Sequence, residues 1–131
     1  MATLDVTVVS PEREVWTGEA DMVVARGTEG DVGILPDHAP MLVALAGRPV
    51  RIVHGNAEEV VLVHGGFLHV TPGEDRTRVD ILAEEAELAS EVSASEARAR
   101  VEELRQRVEQ GETEAEAELA QAVRRAEFGT A

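Results

Sequence analysis

Cysteine, lysine and tyrosine are all absent from this 131-residue sequence. Without cysteine there is no disulfide frame, no thiolate metal site and no cysteine nucleophile. Without lysine there is no Schiff-base chemistry and no phosphate-loop lysine; every basic side chain is an arginine. Aromatics make up 2% of the chain, so the stacking platforms of single-strand nucleic-acid binders are missing. Positive charge is also scarce. Twelve basic residues stand against 26 acidic ones, a formal net charge of −14. A surface of that sign repels nucleic acid and anionic headgroups, which leaves proteins as the expected partners. No apolar run reaches the length of a membrane span. Met1–Ser10 lacks the charged, apolar, small-residue order of a leader, so the chain is expected to be cytosolic, uncleaved and not inserted in a membrane.

What the sequence does contain, over residues 3 to 83, is a series of short strands separated by turn signals. Leu4, Val6 and Val8 alternate with Asp5, Thr7 and Val9, the period of a half-buried strand. Val15-Trp16 up to Gly18, Met22–Arg26 and Val50–His54 follow. Gly55-Asn56 predicts a two-residue hairpin, and Glu59–His64 reads as an interior return strand. Gly65-Gly66 predicts a bulge or a close backbone approach. The last strand places Thr77, Val79 and Ile81 on one face and Arg78 and Asp80 on the other. This spacing predicts a β-sandwich or flattened barrel.

At Ala83 the period changes, which sets the expected units at 1–83 and 84–131. Ser93 and Glu96 have capping-box spacing, as do Thr113 and Glu116. Ala97, Val101, Leu104 and Val108 form one helical stripe, Gly111 ends it, and Ala115, Leu119, Ala122 and Ala126 form a second. The expectation is an αα-hairpin after the sandwich, an α+β protein overall. Large apolar residues are few in the hairpin, so it is expected to be held marginally and to be able to leave the sandwich.

Residues 27–45 stand apart. Gly27, Gly30 and Gly33 predict positive φ or a close neighbour. Pro36 and Pro40 bracket Asp37-His38-Ala39 and exclude a central strand there. The apolar content of this loop has two readings, packing on its own core or presenting a surface to a partner.

Catalytic signatures are missing. The serines have no accompanying His/Asp pattern, and the paired glutamates read as solvated faces. Gly30-x-x-Gly33 is not followed by Lys-Ser/Thr, so it is no phosphate loop. Four histidines invite a metal reading, but no His-x-His pair exists and no metal is expected. His54 and His64 are expected to finish strands at the sandwich edge.

Glu29-Gly30-Asp31-Val32-Gly33-Ile34-Leu35-Pro36-Asp37-His38-Ala39-Pro40 with Leu42 resembles the hallmark segment of the epsilon subunits of F-type ATP synthases. The likeness extends to Leu4–Val9, Ser10, Gly65–Val70 and Leu82-Ala83, and more loosely to the helices. It implies a non-catalytic subunit of the central stalk, without cofactor, peripheral on the cytoplasmic face of a bacterial membrane. The sandwich would join the gamma subunit of the stalk to the membrane ring of c subunits, transmitting rotation mechanically. The hairpin would regulate the catalytic head and inhibit ATP hydrolysis modestly.

By that resemblance Asp31 and His38 match positions that meet the ring, and Ser10 and Val43 match positions near gamma. Some relatives bind ATP through a Leu/Ile-Asp-x-x-Arg-Ala motif. Here the segment is Ala94-Ser95-Glu96-Ala97-Arg98-Ala99, so Arg98 is the one nucleotide candidate and no nucleotide is expected. Two rival readings remain. A small metal-dependent sandwich enzyme predicts bound metal on elemental analysis. A free-standing nucleotide sensor predicts ATP binding by calorimetry.

Overall fold

A computed structural model of the chain describes residues 3–128. It divides into two compact units, the first ending at Leu88 and the second beginning at Ala89.

The first unit holds eight strands: β1 (Thr3–Val9), β2 (Glu14–Ala20), β3 (Met22–Gly27), β4 (Gly30–Ile34), β5 (Met41–Ala44), β6 (Val50–His54), β7 (Ala57–Pro72) and β8 (Arg76–Leu88). Their hydrogen-bonded order is β2-β1-β8-β7-β6-β3-β4, with β5 also on β7. All pairs are antiparallel except β1 with β8, which run parallel from Thr3↔Arg76 to Val9↔Leu82. β7 and β8 are long enough to serve both layers. Residues 66–72 of β7 pair with 77–83 of β8 and carry β5, while residues 57–61 carry β6.

The turn from one layer to the other falls at Gly65 and Gly66, with φ of 76° and 137°. The register stays continuous through them, His64↔Glu85 to Gly66↔Ala83, so the pair is a close approach and not a bulge. Burial changes phase there. Val61 and Val63 are buried before the glycines, Leu68 and Val70 after them. Those four side chains join Leu4, Val6, Val8, Val23, Ile34, Ile52, Val79 and Ile81 in one core, each of them at most 1% exposed. Burial at that level contributes about 1.5–3 kcal/mol per large aliphatic side chain.

Several local expectations are met and others shift. Gly55 has φ 59° and closes the two-residue hairpin between His54 and Ala57. β2 runs on through Gly18 to Ala20, because Gly18, Glu19 and Ala20 still pair with Val6, Asp5 and Leu4 of β1; the Trp16 indole lies over Gly18, where a Cβ would sit 2.9 Å from the ring. His54 does end β6, but His64 lies within β7. β8 continues to Leu88, five residues past the predicted change of period, since residues 85–88 still pair with residues 61–64 of β7.

Across the β6–β7 hairpin, Arg51 donates two 2.8 Å hydrogen bonds to Glu58. They hold the Glu58 carboxyl below its ordinary value. A carboxyl lowered by folding stabilises the folded state above its unfolded pKa, and the contribution disappears as pH falls through the lowered value. Glu58→Gln is therefore expected to lower Tm slightly at neutral pH. Thermal melts across the acid range should show that difference closing as pH falls; a constant difference would contradict it.

The second unit holds a 3₁₀ turn (Ala89–Glu91), α1 (Ala94–Glu109) and α2 (Ala115–Phe128). Ser93 caps α1, its hydroxyl accepting from the Glu96 N–H at 3.4 Å. The other end closes as a full Schellman motif. Gly111 N–H donates to Val108 O and Glu112 N–H to Arg107 O, with Gly111 at φ 96°. The predicted second capping box is different: the Glu116 N–H donates to the backbone carbonyl of Thr113.

The hairpin core is small, built on Leu104, Ala115 and Ala122 with Val101, Val108 and Leu119 half-buried around them. Leu104→Ala removes its one large, fully covered side chain. Such truncations cost about 2–5 kcal/mol, which exceeds what so small a core can lose. Helical circular dichroism at 25 °C is expected to fall while the strand signal stays; an unchanged helical signal would refute this.

Candidate functional site

β5, β7, β8 and β1 lie side by side, so directly opposed residues project to the same side. One cross-strand row reads Ala44–Phe67–Leu82–Val9, and the next Leu42–His69–Asp80–Thr7. Both alternate with buried neighbours, Leu68 and Ile81 among them, so they face away from the core. Leu42, Phe67 and Leu82 are 67%, 51% and 57% exposed. Three large apolar side chains grouped on a chain of net charge −14 form an outlying patch.

A groove of about 410 Å³ adjoins this patch. It lies between the Gly27–Val32 turn and β5, with Phe67 on its rim. Gly27 makes the turn possible, since a Cβ would meet Val43 Cγ1 at 2.6 Å, and Gly30 has φ 129°. Gly33 requires neither: its φ is not positive and a Cβ would meet nothing within 4 Å. The apolar residues of the predicted loop divide. Ile34 is fully buried and Met41 half-buried, while Leu35 and Leu42 face out.

The structure places the sequence candidates separately. Asp31 is the second residue of β4, exposed, with Arg26 at 3.6 Å. His38 lies beyond the other end of β4, half-buried, its Nδ1 donating to Ala39 O at 2.8 Å. The two are not brought together. Ser10 follows Val9 at the end of the outward row; it is 8% exposed and its hydroxyl donates to Arg13 O. Val43, paired with the buried Leu68, packs against the core on the opposite face from the row, next in sequence to Ala44 at its β5 end. Of the outward residues, Leu42 lay in the loop that the sequence offered as a surface for a partner, while Phe67 and Leu82 were missed. Their signal was present as an apolar residue on both phases of a strand, Phe67 beside Leu68 and Leu82 beside Ile81.

On the hairpin, Arg98 lines a separate groove of about 460 Å³ with Val101, Glu102, Arg105, Val123 and Glu127. From α2 this groove receives a glutamate and no arginine. Among the described residues no group of three or more His, Cys, Asp and Glu is placed to hold a metal. No described helix is long and apolar enough to cross a membrane.

A β-sandwich with one outward apolar patch, followed by a charged helical hairpin, defines a docking subunit whose chemistry is contact. The family model of the ATP synthase delta/epsilon chain β-sandwich domain matches residues 3–89. An ATP synthase epsilon chain of Brevibacillus brevis is 44% identical over 120 residues, 91% of this chain and 85% of that one. The epsilon chain of Alkalihalophilus pseudofirmus is 48% identical over 99 residues, covering 76% and 71%. In fold, the chain is similar to one in the cryo-EM structure of the Euglena gracilis mitochondrial ATP synthase, OSCP/F1/c-ring. The TM-score is 0.75 at 22% identity, over 98% of this chain and 79% of that one.

The chain belongs to the ATP synthase delta/epsilon chain family. Its relatives are epsilon chains, non-catalytic subunits of the ATP synthase complex.

Proposed function

We propose that this chain is the rotor subunit that couples the ion-driven c-ring to the catalytic head through the central stalk. The observation that carries this is the outward patch of Leu42, Phe67 and Leu82. It is the surface a mechanical joint needs, because close-packed apolar burial holds two parts together as one rigid body. The gamma subunit covers this patch, with Ser10 and Val43 next in sequence to Val9 and Ala44 at the two ends of the row. The ring meets the β4 side, where Asp31 and His38 mark the two ends of an edge strand. A partner touching both must lie along that edge. The complex holds the chain peripherally at the cytoplasmic face of the membrane.

The hairpin is the regulatory part, and its charges favour weak inhibition. Arg100 pairs with Glu103 and with Glu118 of α2, and Arg107 pairs with Glu112 at 2.6 Å. Arginines engaged inside the hairpin have less to offer an acidic head. Removing residues 89–131 is expected to raise ATPase activity of the assembled head by less than about fivefold, the factor matching the roughly 1 kcal/mol that exposed ion pairs supply. A rise of a hundredfold in a steady-state assay would refute weak inhibition.

The proposed function is tested by purifying the tagged full chain from detergent-solubilised membranes. Gamma and c subunits are expected in stoichiometric yield. Recovery of the chain alone would overturn the assignment.

A further inference from the structure

We infer that Thr77 is a positioning residue for the loop that carries His38, acting by selecting the turn type at Pro36-Asp37. The proposal rests on the docking role given above to that loop.

The His38 N–H donates to Leu35 O at 3.1 Å, so Leu35–His38 is a hydrogen-bonded turn. Pro36 fixes φ near −65° at its second position and excludes the primed types. Asp37 has φ 68°, the one positive value outside glycine among the described residues. That combination is a type II turn, in which the central peptide is flipped relative to type I. The flip directs the Asp37 N–H to the side where Thr77 stands, and the Thr77 hydroxyl accepts it at 2.8 Å.

The local sequence does not select this geometry. Type II asks for glycine or asparagine at the position Asp37 holds, and Pro-Asp suits type I as well. Selection comes from 40 residues away. Thr77 is 1% exposed on the core face of β8, so its hydroxyl has a fixed place. Had the turn been type I, that hydroxyl would lose this donor and the Asp37 N–H would turn elsewhere. The consequence reaches His38, whose backbone closes the turn and whose ring is fixed on Ala39 O. Thr77 touches no partner in this scheme. It sets the direction in which His38 leaves the sandwich.

The test uses the full chain, with Thr77→Val keeping the shape and removing the acceptor, and Thr77→Ser restoring it. Amide exchange is measured by NMR, and rebinding is measured on ATP synthase stripped of this subunit. Thr77→Val is expected to speed exchange at Asp37 about tenfold, the factor for a lost bond of about 1.4 kcal/mol. Exchange at Ile81 should stay slow, which reports that the core is intact. Rebinding should weaken by a similar factor, and Thr77→Ser should recover both. Unchanged exchange at Asp37 in Thr77→Val overturns the inference. Faster exchange with unchanged rebinding overturns it too. His38→Glu, measured beside them, separates the two claims: normal rebinding of that variant removes the docking role of the loop, whatever Thr77 does.

Discussion

Gly66→Ala is expected to lower Tm by 15 °C or more, or to prevent folding. A Cβ at this position would lie 2.2 Å from the Leu82 carbonyl oxygen and 2.8 Å from the Ala83 Cα. Both are backbone atoms of β8, so no side chain can rotate away. The φ of 137° adds strain that residues with a Cβ carry at about 1–3 kcal/mol. Relief requires β7 and β8 to separate where they cross between layers, and they form the longest pairing in the sandwich. Total stability of a domain is about 5–15 kcal/mol, so a loss of 3–4 kcal/mol or more is a large share of it. For a domain of this size each kcal/mol moves Tm by about 4–8 °C.

Gly33→Ala is the control. Its Cβ would meet open space and its φ is ordinary, so the change is neutral or stabilising by up to about 1 kcal/mol through the unfolded chain. Thermal melts of the two variants decide the matter. Gly66→Ala melting with the unaltered protein would mean that the crossing of the layers is not set by this glycine.

The second large effect is on assembly. Phe67→Glu combined with Leu82→Glu should leave the chain folded with Tm lowered by about 4–8 °C, since two surface changes of up to about 0.5 kcal/mol each, repulsion between the opposed carboxylates included, amount to about 1 kcal/mol. Both side chains are more than half exposed and opposed across β7 and β8. Under a partner they would contribute about 1.5–3 kcal/mol each, so their loss weakens binding roughly 10²–10⁴-fold before charge repulsion is added. Titration of the variant onto subunit-depleted ATP synthase should show that weakening, and ATP-driven ion pumping should fail at concentrations that restore it with the unaltered chain. Rebinding at unaltered affinity would remove the gamma-facing role from this surface.

These two sites mark where the sequence could and could not be read. Strand periods were legible wherever alternation was local, as in Leu4–Val8 and Thr77–Ile81. The hairpin stripes were legible for the same reason. Gly65-Gly66 was legible as a close approach, but its effect on phase was not. One sees that Val61 and Val63 share a side with Leu68 and Val70 only after the strand has crossed between layers.

Hence nothing local assigned Phe67 and Leu82 to the outer face, where they lie because Leu68 and Ile81 beside them fill the core. The end of β8 was misplaced because Glu84-Glu85-Ala86-Glu87-Leu88 has helical composition, and only pairing with β7 makes it strand. Asp31 and His38 look adjacent in a short motif, yet the extended backbone of β4 holds them apart. The Thr77 contact spans 40 residues and has no local signature.

The parallel pairing of β1 with β8 has a consequence for synthesis. Of the sandwich's strands, the first to leave the ribosome has its permanent neighbour among the last residues of the sandwich to emerge, from Arg76 to Leu82. Until then β1 can make only its hairpin with β2, and one flank of that ribbon stays open to other nascent chains. Closure waits on a loop of about 70 residues, a contact order that places the rate-limiting step late and makes a holding chaperone useful on the unfinished polypeptide.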